Sequence, residues 1–486
     1  MHTKLHSVGS FSPTDHLLIL ADEGHFEWAD TFFHDLLTAQ EIQFLKQAAA
    51  QKISTVTIPH TERLVTVVFL KGVDNEYIRR EKARKTGVEV LKTLLHFKIN
   101  ALTVLNRCGM NMTMQVVEGM VLGNYQFLKY VTKADDRTNS LKSIAVHTDA
   151  LDEKGVKELD TLCDAVCKAR DLVNEPANFL TAEQLSQEFA KMGKSAGFSV
   201  EILEKNQIES LQMGGLLAVN KGSVQPPTFT IMEWKPKKPR NKQPIVLVGK
   251  GVVYDTGGLS LKPTTKSMDY MKCDMGGSAV VGCVMYMAAK MKLDLHIIAL
   301  VPATDNRPGG DAFAPGDVLT MYDGTTVEQM NSDAEGRLIL ADALAFAKKY
   351  KPELVCDFAT LTGSAAAALG NQGIVYMGNA NEDIKWQMET SGFASYERLV
   401  EFPLWDEYAE WLKSDIADMK SLGQPEAGMI TAGKFLEHFT DYPWLHFDIA
   451  GSAFAHAPEG YKVKGGTGVG IRLMWNFLKY YKKQDI

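Results

Sequence analysis

Cysteine is scarce in this chain. Six occur in 486 residues, at 108, 163, 167, 273, 283 and 356, and no two form a C-x-x-C pair. Cys163 and Cys167 are four apart, about one helical turn, but two thiols do not complete a zinc site. Sparse cysteine in so long a chain argues against a disulfide framework and for a reducing compartment. Positive charge is not in excess either. Against 59 Asp and Glu there are 52 Lys and Arg, a net charge of −7. That removes the general electrostatic case for nucleic-acid binding. No apolar run is long enough to cross a bilayer. The N-terminus, MHTKLHSVGSFSPTDHLLIL, lacks the basic stretch and clean apolar core of a secretory signal. These absences lead to the expectation of a cytoplasmic protein without a membrane partner. Internal repeats and low-complexity segments are also missing.

What is present is an ordinary globular composition, 45% hydrophobic, in a length that suggests two domains. Leu17 to Leu20, Val65 to Leu70 and Ala101 to Leu105 read as strands, with helices over 77–96 and 116–130. Alternating strands and helices predict an α/β first domain. Its histidines, His2, His6, His16, His25, His34, His60 and His96, are dispersed and form no site. Apolar positions at Val156, Leu159, Leu162, Cys163, Val166 and Cys167 make a helical stripe. Asn174-Glu175-Pro176 ends that helix, since a residue before proline leaves the helical region. The expected organisation is 1–150 as an N-terminal domain, 151–173 as a linking helix and 174–486 as a larger domain. In the latter, 199–204, 228–234, 245–249, 295–301, 354–358 and 444–449 read as strands. Helices are expected from Gly276 to about Met291 and from Leu338 to Tyr350.

Two charged clusters stand out. IVLVGKGVVYDTGGLSLKPTTKSMDYMKCDM (245–275) runs from a buried strand into glycine and proline punctuation, carrying Lys250, Asp255, Lys262 and Asp274. In α/β proteins chemistry collects just past the carboxyl ends of strands. A solvated charged loop would explain one such cluster. The second is NSDAEGRL (331–338). If extended, it would place Asp333, Glu335 and Arg337 on one face. Carboxylates grouped in this way are costly to bury without counter-charge, which divalent cations would supply. Asp255, Asp274, Asp333 and Glu335 suit two hard or borderline dications with shared ligands. Lys250 would join them as a neutral amine. Deprotonating a lysine at pH 7 costs about 4–5 kcal/mol from a free pKa of roughly 10.4, which a metal bond and dication repulsion could supply.

VGKGVVYDTGGLSLKP and NSDAEGRL closely resemble the signatures of the leucyl aminopeptidase family, the dinuclear-metal aminopeptidases of the cytosolic leucine type. The second signature usually carries Thr where this chain has Ser332, which keeps the hydroxyl. Further matches are NEPANFLTAEQL (174–185), MGGLLAVNKGS (213–223), ATLTGS (359–364), LKSDIADMKSLG (412–423), ITAGKFLEHF (430–439), WLHFDIAG (444–451) and GGTGVGIRL (465–473). The resemblance spans roughly 170 to 480. Over the first domain it is faint, mainly EGMVLGNYQF (118–127).

The resemblance implies two α/β domains joined by a long helix: a smaller, variable N-terminal one that helps assemble a homohexamer, and a larger C-terminal catalytic one. The catalytic domain would hold a mixed, mostly parallel sheet covered by helices. It also implies removal of the N-terminal residue, leucine or another mainly apolar one, from peptides. Two divalent ions per subunit, zinc or manganese foremost and magnesium or cobalt admitted, would ready a bridging water for attack. Lys250, Asp255, Asp274 and Glu335 would hold one ion. Asp255, Asp333 (side chain and main-chain carbonyl) and Glu335 would hold the other. Lys262 would be the electrophile, and Arg337 would hold a bicarbonate acting as base. Met271, Thr360, Leu361, Gly363 and Ala450 would contact substrate, together with Lys262. At Ala453 some family members carry a larger residue such as Met, so the resemblance implies a roomier pocket here. Two other readings stay open: a two-metal phosphoester hydrolase, and a non-catalytic DNA-binding role as in some relatives. The first usually employs histidine ligands, and neither cluster contains one. Net acidity argues mildly against the second.

Overall fold

The computed structural model describes residues 3–22, 31–148 and 152–482. His2, His25 and the expected domain edge at 150–151 lie outside the described residues. The chain forms two compact units: Met1–Cys167 with Pro458–Val463, and Lys168–Ala457 with Lys464–Ile486. The helix Glu153–Asn174 contains the chain position where the first unit ends. The short segment Pro458–Val463 leaves the second unit for the first, so the C-terminal part is not one uninterrupted stretch.

The first unit contains β1 (Lys4–Val8), β2 (Leu17–Asp22), β3 (Thr55–Pro59), β4 (Leu64–Leu70), β5 (Ala101–Arg107) and β6 (Ser143–His147). They form a six-stranded sheet ordered β1-β6-β5-β2-β4-β3, parallel except where β3 meets β4. The helix expected over 116–130 is instead Met110–Gly123. Asn124 ends it because its side-chain amide donates to Thr3 Oγ1 and the Leu141 carbonyl, both at 2.8 Å. Those bonds anchor the chain in a turn rather than a further helical turn.

The second unit introduces β7 (Ser199–Leu203), β8 (Thr228–Trp234), β9 (Ile245–Gly249), β10 (Gly251–Asp255), β11 (Ile297–Asn306), β12 (Val318–Thr320), β13 (Thr326–Glu328), β14 (Leu354–Ala359), β15 (Ile374–Gly378), β16 (Leu399–Glu401), β17 (Met419–Lys420) and β18 (Trp444–Asp448). The main sheet has nine strands, ordered β16-β15-β18-β14-β9-β11-β8-β7, with β10 added on β11. Strands β18, β14, β9, β11 and β10 are all mutually parallel. Every residue of β9 is buried, as an apolar run in a sheet covered on both faces should be. The helix Gly276–Lys290 is buried along nearly its whole length. Leu338, Leu340 and Phe346 of the helix Glu335–Ala347 enter one core with Phe229 and Trp444.

Two boundaries differ from expectation in ways that shape the site. After Lys250 the chain resumes as β10, and Thr304 to Asn306, beyond the strand expected over 295–301, are strand because β10 pairs with them. The 331–338 stretch is not extended. Asn331 Oδ1 accepts the Asp333 amide at 2.9 Å, and this turn feeds a helix that starts at Glu335 rather than Leu338. Asp333, Glu335 and Arg337 therefore do not alternate along a strand; their convergence has another cause.

Candidate metal centre

That cause is the topology. Five parallel strands end on one edge of the sheet, the usual place for a site in such folds. Lys250 follows β9, Asp255 ends β10, Asn306 ends β11, Thr360 and Leu361 follow β14, and Ala450 lies just beyond β18. Asp274 sits just ahead of the helix Gly276–Lys290, and Glu335 is the first residue of its helix. Negative charge there is favoured by the helix dipole.

Lys250 Nζ lies 2.7 Å from Asp274 Oδ1, 2.9 Å from Glu335 Oε1 and 2.9 Å from the Thr360 carbonyl oxygen. Thr360 Oγ1 donates to the same Asp274 oxygen at 2.8 Å. Lys262 Nζ pairs with Asp255 Oδ2 at 2.9 Å and with Asp333 Oδ1. One carboxylate oxygen from each of Asp255, Asp333 and Glu335 lies within 4.8 Å of the others. Asp274 joins this trio through Lys250. All five proposed ligands thus meet in one place, although Asp255 and Glu335 are 80 positions apart in the chain.

Of the supporting residues, Asn306 was not singled out from sequence. Asn306 donates from Nδ2 to Asp255 Oδ1 and to the Ser332 carbonyl, both at 2.9 Å, tying the two clusters together. The Ser332 hydroxyl donates to the Gly257 carbonyl at 2.7 Å and accepts the Ser260 amide at 2.7 Å. This is the use of the hydroxyl that Thr would also provide. Gly257 has φ +84°, and a Cβ there would stand 2.4 Å from the Ser260 carbonyl. A polar residue ending a buried strand, as Asn306 does, was the available signal.

The electrostatics are those of crowded, buried charge. Burial pushes the Glu335 carboxyl up to about 8, with the charge of Asp255 adding and Lys250 opposing. Burial likewise pushes Asp274 up to about 6 against the pull of Lys250. Asp333 rises through burial and the Asp255 charge. Burial disfavours the Lys250 and Lys262 ammonium forms, yet the surrounding carboxylates outweigh it and raise both. With only protein groups for counter-charge, Lys250 is therefore an ammonium. It becomes a neutral ligand only where dications take over that counter-charge.

The donor set fits dications on a direct observation. Asp274 Oδ2 and Glu335 Oε2 are buried with no hydrogen-bond partner. Such atoms are expensive to leave unsatisfied, and hard cations bind this oxygen chemistry. Arg337 is buried, gives Nη1 to the Ser421 carbonyl at 2.8 Å, and leaves Nε without a partner. Burial lowers its pKa to about 10, so it stays charged and suited to an anion. Among the described residues it makes no ion pair with Asp333 or Glu335.

The remaining expected residues border the same region. Met271 lies half-buried in the turn Met268–Cys273 that leads into Asp274. Thr360 Cγ2 and Ala453 Cβ both approach the backbone of Gly276, 3.4 and 3.3 Å from where a Cβ would be. The amides of Leu361 and Ala450 both bond Asp448 Oδ1, at 3.2 and 3.1 Å. The Leu361 amide is therefore engaged within the protein. Gly363 opens a short helix capped by Thr362 and is exposed.

Comparison with known proteins agrees with this geometry. Residues 167–475 match the cytosol aminopeptidase family, catalytic domain. A probable cytosol aminopeptidase of Chlorobaculum tepidum is 47% identical over 379 residues, 75% of this chain and 74% of that one. One from Geobacter sulfurreducens is 39% identical over 476 residues, 93% and 94% of the two chains. A mutant of tomato leucine aminopeptidase superposes with TM-score 0.84 at 26% identity, covering 98% of this chain and 96% of that one. The bottromycin maturation enzyme BotP in complex with Mn gives TM-score 0.83 at 28% identity, covering 96% and 99%. The chain belongs to the cytosol aminopeptidase family and is a leucyl aminopeptidase-type hydrolase.

Proposed function

We propose that the protein removes N-terminal residues, leucine and other mainly apolar ones, from peptides with the help of two divalent metal ions. The observation that carries this reading is the pair of unpartnered buried oxygens on Asp274 and Glu335, beside the Asp255–Asp333–Glu335 cluster. Lys250, Asp255, Asp274 and Glu335 would hold one ion. Asp255, Asp333 and Glu335 would hold the other. Bound there, the ions would lower the pKa of water toward neutrality and polarise the scissile carbonyl.

The chain's own residues supply the rest. Lys262 is a cation fixed by Asp255 and Asp333 and would face charge that develops in the transition state, where such a donor is most effective. Arg337, with its free Nε, would hold bicarbonate as the base. Met271, Thr360, Leu361, Gly363 and Ala450 would orient the substrate residue, and the small Ala453 would leave room for larger ones. The N-terminal domain, 1–150, would serve assembly into a homohexamer, with the helix that follows as the link to the catalytic domain. The relatives' description as cytosol aminopeptidases supports a cytoplasmic setting. Zinc or manganese is the expected metal, and the manganese named with BotP supports the latter.

The test is a panel of aminoacyl p-nitroanilides on protein stripped of metal and reloaded with zinc, manganese, magnesium or cobalt separately. Leucine-type substrates should turn over only in the reloaded samples. Hydrolysis of p-nitrophenyl phosphate instead would favour a phosphoesterase.

A further inference from the structure

One buried amide joins the residue that anchors Arg337 to the turn that carries Asp333. Gln329 follows β13, and Ser421 follows β17, the strand paired with β13. Both residues are fully buried. Gln329 Oε1 accepts two hydrogens, from the Ser421 hydroxyl at 2.8 Å and from the Asn331 amide at 2.9 Å. The main chain of Gln329 is fixed as well: its amide donates to the Asp317 carbonyl at 2.8 Å, and its carbonyl accepts the Gly316 amide at 2.6 Å. The nitrogen of the side chain, Nε2, is buried with no partner. An unmet buried donor is costly, and an apolar side chain of similar size would bury none. What Gln329 contributes here is its oxygen.

Each bond to that oxygen leads to a residue of the metal centre. Ser421 gives its carbonyl to Arg337 Nη1 at 2.8 Å, the only hydrogen bond of this guanidinium among the described residues. Ser421 is itself placed by its amide, which donates to the Glu328 carbonyl at 2.9 Å, and by its hydroxyl oxygen, which accepts the Met330 amide at 3.0 Å. On the other side, Asn331 accepts the Asp333 amide at Oδ1 and the Ala334 amide at its carbonyl, both at 2.9 Å. That turn presents Asp333 and leads into the helix at Glu335. Every step from Gln329 to Arg337, and from Gln329 to Asp333, is therefore a hydrogen bond or a single residue. We propose that Gln329 is a positioning residue whose one side-chain oxygen holds both Ser421, the anchor of Arg337, and the Asn331 turn that carries Asp333. The inference rests on the aminopeptidase reading of the site, in which Arg337 holds bicarbonate and Asp333 holds the second ion.

The experiment uses full-length Gln329→Leu, Ser421→Ala, Ser421→Thr and the Gln329→Leu/Ser421→Ala double variant. For each, equilibrium dialysis measures zinc or manganese binding, and kcat and KM on leucine p-nitroanilide are taken across a bicarbonate series. Gln329→Leu leaves both the Ser421 hydroxyl and the Asn331 amide without their acceptor. It should raise half-saturating bicarbonate about fivefold or more and weaken one of the two ions by a similar factor, as loss of a buried hydrogen bond would. Ser421→Ala breaks only the Arg337 side, so it should shift bicarbonate alone and leave both ions bound as in the wild type. Ser421→Thr keeps the hydroxyl and should restore bicarbonate dependence to within about twofold. The double variant should match Gln329→Leu within about twofold, because residues acting in one chain are not additive. Should Gln329→Leu fail to fold, the contrast between Ser421→Ala and Ser421→Thr carries the test. A folded Gln329→Leu protein that melts earlier yet keeps its ion affinities and bicarbonate dependence would overturn the proposal. So would multiplied effects in the double variant, or equal loss of ion affinity in Gln329→Leu and Ser421→Ala. A wild-type protein inert toward every aminoacyl substrate would defeat the aminopeptidase reading alone; the dialysis contrast between Gln329→Leu and Ser421→Ala would still decide the role of Gln329.

Discussion

Gly336 runs so close to Lys250 that a Cβ added to it would stand 2.5 Å from Lys250 Cε and 2.7 Å from Nζ. The lysine cannot swing clear, because Asp274, Glu335 and Thr360 hold its ammonium and the side chain is only 3% exposed. The glycine between Glu335 and Arg337 is thus the space in which Lys250 lies. Gly336→Ala should destabilise the protein by about 1–3 kcal/mol through overpacking. It should also lower metal occupancy at the site Lys250 serves. Thermal melting and elemental analysis check both, and a variant with full metal content would show that the lysine is not needed as a ligand.

Lys262 offers a cleaner separation of binding from chemistry. Its side chain is 14% exposed and pairs with Asp255 and Asp333. Lys262→Ala should retain metal and reduce kcat by on the order of 10²–10³, as loss of one transition-state donor does. Normal turnover in a fully loaded variant would remove Lys262 from the reaction.

Asp255 and Glu335 are the carboxylates assigned to both ions. Asp255→Asn should therefore release metal, and Glu335→Gln should do the same, whereas an exposed acid nearby, Asp269, should tolerate the analogous change. Equilibrium dialysis against zinc or manganese measures the stoichiometry. Retention of two ions per subunit by either variant would contradict the bridging assignment.

How much of this was legible beforehand divides along physical lines. The apolar run of β9 and the stripe of the helix Glu153–Asn174 are local periodicities, and both elements formed where they were expected. Lys250, Asp255, Asp274, Asp333 and Glu335 were likewise visible as charge where burial was expected. The extended form assumed for 331–338 was wrong, because the Asn331 turn that starts the helix at Glu335 competes successfully with it. Asn306 and Asp448 were not seen at all. Their partners lie 51 and 87 positions away, at Asp255 and Leu361, and no local pattern reports such pairings. Thr304 to Asn306 fell outside the strand expected over 295–301 because what makes them strand is a neighbour, β10.

The pH dependence of metal binding follows from the raised carboxyls. In the metal-free protein Glu335 is pushed up to about 8 and Asp274 to about 6, chiefly by burial. A carboxyl raised on folding contributes stability that is complete below its unfolded value. That contribution is lost as pH rises through the folded value. Stripped protein should therefore lose stability between about pH 5 and pH 8, as the two groups ionise in a crowded site. Metal uptake requires the ionised forms, so affinity should climb over the same interval. The difference in Tm between loaded and stripped protein should accordingly widen from pH 5.5 to pH 8.5. A constant difference would mean that the ions do not displace these protons, and that Glu335 and Asp274 are not ligands.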